Sequence, residues 1–362
     1  MGHLRKLFLV NGFLGSGKTT AITGACNILM KNQVGVGVIF NDQGDKLVDT
    51  LFAKGQNVPS AQVVNGCFCC NYEQFITSIV ELEKRIKPEI LFAESVGSCT
   101  DLVATVIKPL KESGNLFDQV ITVIADATML PVLLKGSMIF DKDVTYIYHK
   151  QLEEADIILV TKTDLLPAGI LAGVKDDFIS RYPYKQILFI NSFNNDDLAR
   201  WLDMLNNHNI ATRRKSLDID YDVYVAGEAA LAWFDQELEI ISTEKNAREI
   251  AVSLINKIYS AITHDNLEIG HLKFFLEDAE SPLKVSFTSM SRTNYFDHLP
   301  RIQKHTQKLL INARVQTSPP RLETIIFSTI SSIKDLYRCN INSGSLRTFK
   351  PGFPTPVHRI EY

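Results

Sequence analysis

No run of apolar residues in this 362-residue chain is long enough to span a bilayer, and no segment is repeated or of low complexity. Charge of one sign is also missing. Forty-one acidic residues face 38 basic ones, for a net charge of −3. That balance gives no basic footprint for a nucleic acid and excludes a strongly basic membrane-surface protein. Histidine is scarce, with eight in all, and His271, His298 and His305 share no metal-binding spacing. The N-terminus enters an apolar strand almost at once, so no secretory leader is expected, and Lys6 stands where a myristoylation signal needs Ser or Thr. Together these absences imply a cytoplasmic protein with no membrane and no nucleic-acid partner. In that compartment the six cysteines stay reduced, and any cluster of them points to metal or catalysis.

The most informative segment is Gly12-Phe13-Leu14-Gly15-Ser16-Gly17-Lys18-Thr19, which fits G-x-x-x-x-G-K-[ST]. An apolar strand over residues 5–11 precedes it. A helix over residues 20–30 follows, with Ile22, Ala25, Cys26 and Leu29 on one face. In that setting backbone N–H groups and the helix N-terminus cradle a phosphate chain, with Gly12, Gly15, Ser16, Gly17, Lys18, Thr19 and Thr20 as its walls. Lys18 is placed to reach the β- and γ-phosphates, and the Thr19 hydroxyl to bind Mg²⁺.

Over the first 205 residues, short apolar stretches end in polar residues and alternate with helical periodicity. The pattern predicts an α/β domain, a P-loop NTPase with a doubly wound, mostly parallel sheet, over residues 1–205. Residues 206–216 read as a linker. Alternating Leu283, Val285 and Phe287, then Leu309, Ile311, Ala313 and Val315, with two amphipathic helices, predict a smaller α+β C-terminal domain over 217–350. A proline-rich tail, 351–362, ends the chain.

Thr161-Lys162-Thr163-Asp164 follows another buried strand and fits the [N/T]-K-x-D pattern of guanine recognition. A carboxylate at Asp164 can accept both guanine N1–H and the exocyclic amine, a pairing adenine cannot make. GTP and GDP are therefore expected, rather than ATP. Glu94-Ser95-Val96-Gly97 ends a third strand. Glu94 can hold a Mg²⁺-bound water, and the Gly97 amide can approach a γ-phosphate. Asp45 and Asp49 fall where a first switch loop belongs, and Asp49 is the candidate to touch Mg²⁺ or the attacking water. Lys18, Thr19, Glu94 and Asp49 thus form the expected catalytic set. No arginine or glutamine is obviously placed to speed hydrolysis, so the expected intrinsic rate is slow.

Gly66-Cys67-Phe68-Cys69-Cys70 concentrates three thiols in four residues. Thiolates suit soft and borderline cations, and three on Zn²⁺ leave a fourth tetrahedral position. Asp45, a client ligand or water could fill it. Cys99, just past Gly97, could approach the cluster or pack in the core, and Cys26 and Cys339 read as structural.

The combination of these four motifs resembles the CobW-type metallochaperone GTPases. The resemblance covers residues 5–205. It implies GTP hydrolysis with Mg²⁺, and a transition metal, Zn²⁺ or Co²⁺, at Cys67, Cys69 and Cys70. It also implies delivery to a client metalloprotein or a corrinoid-pathway protein, and leaves room for a homodimer. Two departures stand out: Asn41-Asp42-Gln43-Gly44-Asp45 replaces the family's N-E-F-G-E, and no histidine-rich stretch is present. A nucleotide-dependent metal-sensing module is the alternative function, and a small-molecule kinase a third.

Overall fold

The computed structural model describes residues 6–44, 48–114, 117–208, 214–278, 282–291 and 302–361. The chain divides into two compact units. The first comprises residues 1–45, 53–227 and 353–362, and the second residues 46–52 and 228–352. This division differs from the one expected from sequence in three places. Residues 214–216 of the expected linker and 217–227 of the expected second domain join the first unit, a short piece around Val48 joins the second, and the tail from Phe353 returns to the first. Residues 209–213 of the expected linker lie outside the described residues.

The first unit is built on seven strands: β1 (Lys6–Asn11), β2 (Val36–Asn41), β3 (Ser60–Val63), β4 (Ile90–Glu94), β5 (Asp118–Asp126), β6 (Ile157–Thr161) and β7 (Gln186–Phe189). Their order is β3-β2-β4-β1-β5-β6-β7, and every pairing is parallel. A parallel sheet covered by helices on both faces needs apolar residues at consecutive positions. Leu7-Phe8-Leu9-Val10 and Leu91-Phe92-Ala93 meet that need and are wholly buried. Trp201, on the helix Asn195–Asn207, packs its ring 5.8 Å from Phe92. The strand order reverses beside β1, where β4 and β5 flank it, and parallel sheets bind ligands at the carboxyl ends next to such a reversal.

The second unit has five antiparallel strands: β8 (Leu231–Ile241), β9 (Ile269–Glu277), β10 (Leu283–Phe287), β11 (Thr306–Gln316) and β12 (Asn340–Phe349), in the order β10-β9-β11-β8-β12. Helices Ala247–His264 and Pro319–Tyr337 supply Ile250, Leu254, Ile258, Leu322, Ile326 and Ile333 to its core. This is the expected α+β arrangement. Within the same unit, helix Val48–Gly55 begins with the Val48 N–H donating to Asn312 Oδ1 at 3.0 Å. Among the described residues no helix is long and apolar enough to cross a membrane.

Gly12 is the position where the first unit is least forgiving. Its φ is +136°, and a Cβ there would stand 2.3 Å from the backbone oxygen of Ile124. Gly12→Ala is expected to lower unfolding stability by about 3 kcal/mol, combining strained backbone with a clash that β5 cannot relieve. Denaturant unfolding followed by circular dichroism checks this; an unchanged midpoint would mean that β1 and β5 separate at no cost.

Candidate functional site

The phosphate loop joins the end of β1 to the helix Lys18–Lys31. Gly17, at φ +96°, turns the chain into that helix. Lys18 is buried and donates to the carbonyls of Gly12 at 2.6 Å and Phe13 at 3.3 Å, arching over its own loop. Thr19 Oγ1 donates to Glu94 Oε1 at 3.0 Å. The hydroxyl expected to bind Mg²⁺ and the carboxylate expected to hold its water shell are therefore in direct contact. Ser16 is 2% exposed and its Oγ has no hydrogen-bond partner, a buried polar atom facing the loop that a phosphate oxygen would satisfy. The cradle fits a nucleotide phosphate chain.

The segment Thr161–Asp164 is tied to that loop. Thr161 Oγ1 donates to the Ser16 carbonyl at 2.6 Å, and Lys162 Nζ to the Gly15 carbonyl at 2.8 Å. Lys162 also pairs with Asp126 at 2.5 Å. Asp164 lies exposed in the short 3₁₀ turn Thr163–Leu165, where its carboxylate can meet a base edge. Gly97 packs on the phosphate loop so tightly that a Cβ would stand 2.6 Å from Leu14 Cδ2 and 3.0 Å from Leu14 N.

Cys67, Cys69 and Cys70 converge at the turn that opens the helix Tyr72–Ile86, their ligand atoms all within 4.8 Å of one another. The sulfur separations are 2.8 Å for Cys67–Cys69, 3.1 Å for Cys67–Cys70 and 3.8 Å for Cys69–Cys70. The N–H groups of Cys70 and Asn71 both donate to the Cys67 carbonyl, closing the turn. Hydrogen bonds from Cys69, Cys70 and then Cys99 hold the Cys67 thiol well below its usual range, against the opposing effect of burial. The same bond to Cys67 pushes Cys69 well up and Cys70 up to about 12. One thiolate shared among neighbouring thiols is a donor set suited to a soft divalent cation. Cys26, by contrast, is raised by burial alone and packs inside its helix.

One expectation about a carboxylate needs revision. Asp49 does not stand free for Mg²⁺: Lys273 Nζ and Lys284 Nζ hold its two oxygens at 2.5 and 2.7 Å, all within the second unit. Burial opposes its charge, but these lysines keep the carboxyl well below the usual range. Its sequence position suggested a switch, whereas helix Val48–Gly55 takes it to the antiparallel sheet. Asp45 lies outside the described residues. Of the two readings of Cys99, core packing and approach to the cluster, the structure favours approach, with a hydrogen bond between its side chain and Cys67.

Sequence reasoning also passed over the residues that brace the site. Asn41, last in β2, donates to the carbonyls of Val63 and Gly66 and accepts from the Phe68 N–H at 2.9 Å, fixing the cysteine turn. The tail contributes too. Val357 N–H donates to the Cys69 carbonyl at 2.9 Å, the Thr355 backbone bonds to Cys70, and the His358 ring meets Tyr72 edge-on. Arg359 Nε and Tyr221 OH both donate to Asp101 Oδ2 at 2.8 Å. A polar residue at the close of a buried strand was the available signal for Asn41 and Asp126; nothing in the tail's composition announced its destination.

This fold and site define a P-loop nucleotide-binding domain with a thiol cluster in the same compact unit as its phosphate loop. Comparison with known proteins gives the family. The CobW/HypB/UreG nucleotide-binding domain matches residues 6–187, and the chain belongs to that family. It is 30% identical to the zinc chaperone CobW of Sinorhizobium sp over 202 residues, 48% of this chain and 55% of that protein. With zinc-regulated GTPase metalloprotein activator 1 of Dictyostelium discoideum it shares 26% over 193 residues, 44% of this chain and 40% of the relative. The match thus spans about half the length of these relatives. Among solved structures it is similar to HypB from Helicobacter pylori in complex with nickel, at 18% identity and a TM-score of 0.41, covering 59% of this chain and 92% of that one.

A titratable group at the end of helix Lys142–Glu154 packs against the segment after Cys99. Glu154 Oε1 accepts from the Val103 N–H at 2.7 Å, and burial pushes its carboxyl up from 4.5 to about 8. The folded chain therefore keeps a proton that the unfolded chain releases above 4.5. The resulting stability falls as pH rises from there to about 8. Glu154→Gln stays neutral and keeps the acceptor. Relative to wild type it should gain stability between pH 5 and 8.5, on the order of a few kcal/mol. Urea unfolding across that range checks it; parallel profiles for the two proteins would show that Glu154 ionises in the folded state as it does in water.

Proposed function

We propose that this chain is a GTP-hydrolysing metallochaperone that carries a transition metal, Zn²⁺ or Co²⁺, on Cys67, Cys69 and Cys70 and hands it to a client metalloprotein or corrinoid-pathway protein. The observation that carries the reading is the convergence of three thiols in the same compact unit as the phosphate loop. The names of the relatives, a zinc chaperone and a zinc-regulated GTPase metalloprotein activator, support it.

In this reading Lys18 leaves the loop carbonyls for the β- and γ-phosphates, and the backbone N–H groups of residues 15–20 complete the cradle. Thr19 holds Mg²⁺, with Glu94 anchoring its water shell. Asp164 reads guanine while Lys162, fixed by Asp126, lies along the base. The two sites share their supports. Gln151 Nε2 donates to the carbonyls of both Gly97 and Cys99, so a shift of Gly97 toward a γ-phosphate moves the segment beside the thiols. Coupling of this kind is reciprocal: whatever GTP does to metal affinity, metal does to GTP affinity.

Protein purified with Zn²⁺ should hold one ion per chain and lose it in Cys69→Ser, with GTP binding intact. Zn²⁺ affinity should differ between a non-hydrolysable GTP analogue and GDP. Equal metal content in the two proteins removes the carrier role, and equal affinity in the two nucleotide states removes the coupling. Separately, Asp164→Ala should weaken GTP, and not ATP, by about 1.5–3 kcal/mol, roughly ten- to a hundredfold, in a calorimetric titration. An unchanged GTP affinity would take base recognition away from this motif.

A further inference from the structure

We propose that the groove holding residues 357–360 is a docking groove for an extended, arginine-bearing segment of a partner protein, and that this chain's own tail is a displaceable occupant of it. The groove stands apart from the metal-carrier reading; that the partner is the client rests on that reading.

Every part of the groove belongs to the first unit. Its hold on the tail begins with the main chain. The Val357 N–H donates to the Cys69 carbonyl at 2.9 Å, and the Ile360 N–H to the Ala104 carbonyl at 3.0 Å. The Ile360 carbonyl accepts from Ser216 Oγ at 2.7 Å and Lys108 Nζ at 3.3 Å. These bonds read backbone, so another extended segment can make them. The charged contact falls on one side chain. Arg359 Nε donates to Asp101 Oδ2 at 2.8 Å, and its guanidinium lies 5.3 Å from the Tyr221 ring centre.

Asp101 is placed to receive a cation and is half used. It is wholly buried, in a left-handed backbone conformation at φ +64°. A buried carboxylate is costly unless it is paired. Oδ2 takes both Arg359 Nε and Tyr221 OH, whereas the buried Oδ1 has no hydrogen-bond partner. Arg359 gives Asp101 one nitrogen only; Nη1 goes to Glu361 and Nη2 to the Leu217 carbonyl. A guanidinium presented end-on bonds both oxygens of a carboxylate at once, and that fork is the stronger arrangement. An arginine from a partner can thus satisfy Asp101 better than the chain's own does. The tail holds its place by its tether, which gives it a high effective concentration at the groove.

Location gives the groove its use. Cys69, whose carbonyl takes Val357, is on the C-x-C-C turn, and the His358 ring meets Tyr72, first in the helix after that turn, at 4.9 Å. A segment that replaces the tail lies against the same turn, so docking brings the partner to the thiols.

The probe is a fluorescent peptide with the sequence of residues 353–361, titrated into full-length, metal-free protein. It should bind Arg359→Ala about tenfold more tightly than wild type, because that variant's own tail has lost its charged anchor. Replacing the peptide's arginine by alanine should weaken binding to Arg359→Ala about tenfold, and so should adding Asp101→Asn to the protein. Asn tolerates the left-handed conformation, and thermal unfolding verifies that each variant is folded. A thiol reagent should label Arg359→Ala severalfold faster than wild type, and saturating peptide should restore the slow rate.

Equal peptide affinity for wild type and Arg359→Ala, or equal affinity of the two peptides, would overturn the groove whatever metal the protein carries. Unchanged labelling would overturn its link to the thiols. A wild-type dimer that Arg359→Ala dissociates would assign the groove to a second copy's tail and overturn the partner. Arginine-dependent peptide binding by a protein that takes up no Zn²⁺ would overturn the carrier reading and leave the groove standing.

Discussion

Asn11 ends the central strand with a side-chain amide whose oxygen takes the Gly12 N–H and the Ser95 hydroxyl, and whose nitrogen gives a proton to the Cys99 carbonyl. The residue is fully buried, so each of these bonds replaces one that water would otherwise make. Losing any of them leaves a desolvated polar group at a cost of about 1–3 kcal/mol. Through that amide the start of the phosphate loop, the end of β4 and the segment bearing Cys99 share one position. Asn41 does the same on the opposite side of β4, holding the turn that carries Cys67, Cys69 and Cys70. Strands β1 and β2 both pair with β4, so two asparagines at equivalent strand ends clamp the two sulfur-bearing segments to a common scaffold.

The cations of the site are satisfied before any nucleotide arrives. Lys18 covers the loop carbonyls, and Lys162 divides its bonds between the loop and Asp126. A phosphate chain competes with neutral carbonyls for Lys18, an exchange favoured by charge because ionic hydrogen bonds are the stronger ones. Lys162 faces a buried carboxylate and stays put, which keeps its stem available as a rigid wall for a base. The two lysines look alike in sequence. Their partners assign one to move and one to hold.

Much of the first unit was legible because parallel, doubly covered strands must be apolar at every position. Leu7-Phe8-Leu9-Val10 and Ile157-Ile158-Leu159-Val160 admit no other reading in their context. The phosphate loop, Glu94, the guanine motif and the three clustered cysteines announced themselves by residue type and spacing. The antiparallel unit was harder. β8 carries Asp235, Gln236, Glu237 and Glu239 among its apolar residues, and β12 is an edge strand of mostly exposed polar residues around Gly344, so neither showed clean alternation. Asp49 misled for a different reason. Its distance along the chain from the phosphate loop suited a switch, but Lys273 and Lys284, more than two hundred residues away, determine where its charge is useful. Long-range ion pairing leaves no local trace.

The tail shows how burial governs access to the thiols. Cys67 and Cys69 are nearly sealed, at 4% and 3% exposed, while Cys70 is partly open. The tail 353–361 meets this turn through the Val357 N–H on the Cys69 carbonyl and is held further along by Ile360 to Ala104 and Arg359 to Asp101. Thiolate exchange proceeds by attack on a reachable site, so an incoming ligand meets Cys70 first and the buried pair last. In the carrier reading proposed above, a cation seated among these sulfurs would be retained by sterics as well as by affinity. Access to the thiols depends on the bonds to the tail, which are backbone and arginine contacts made by partly exposed residues.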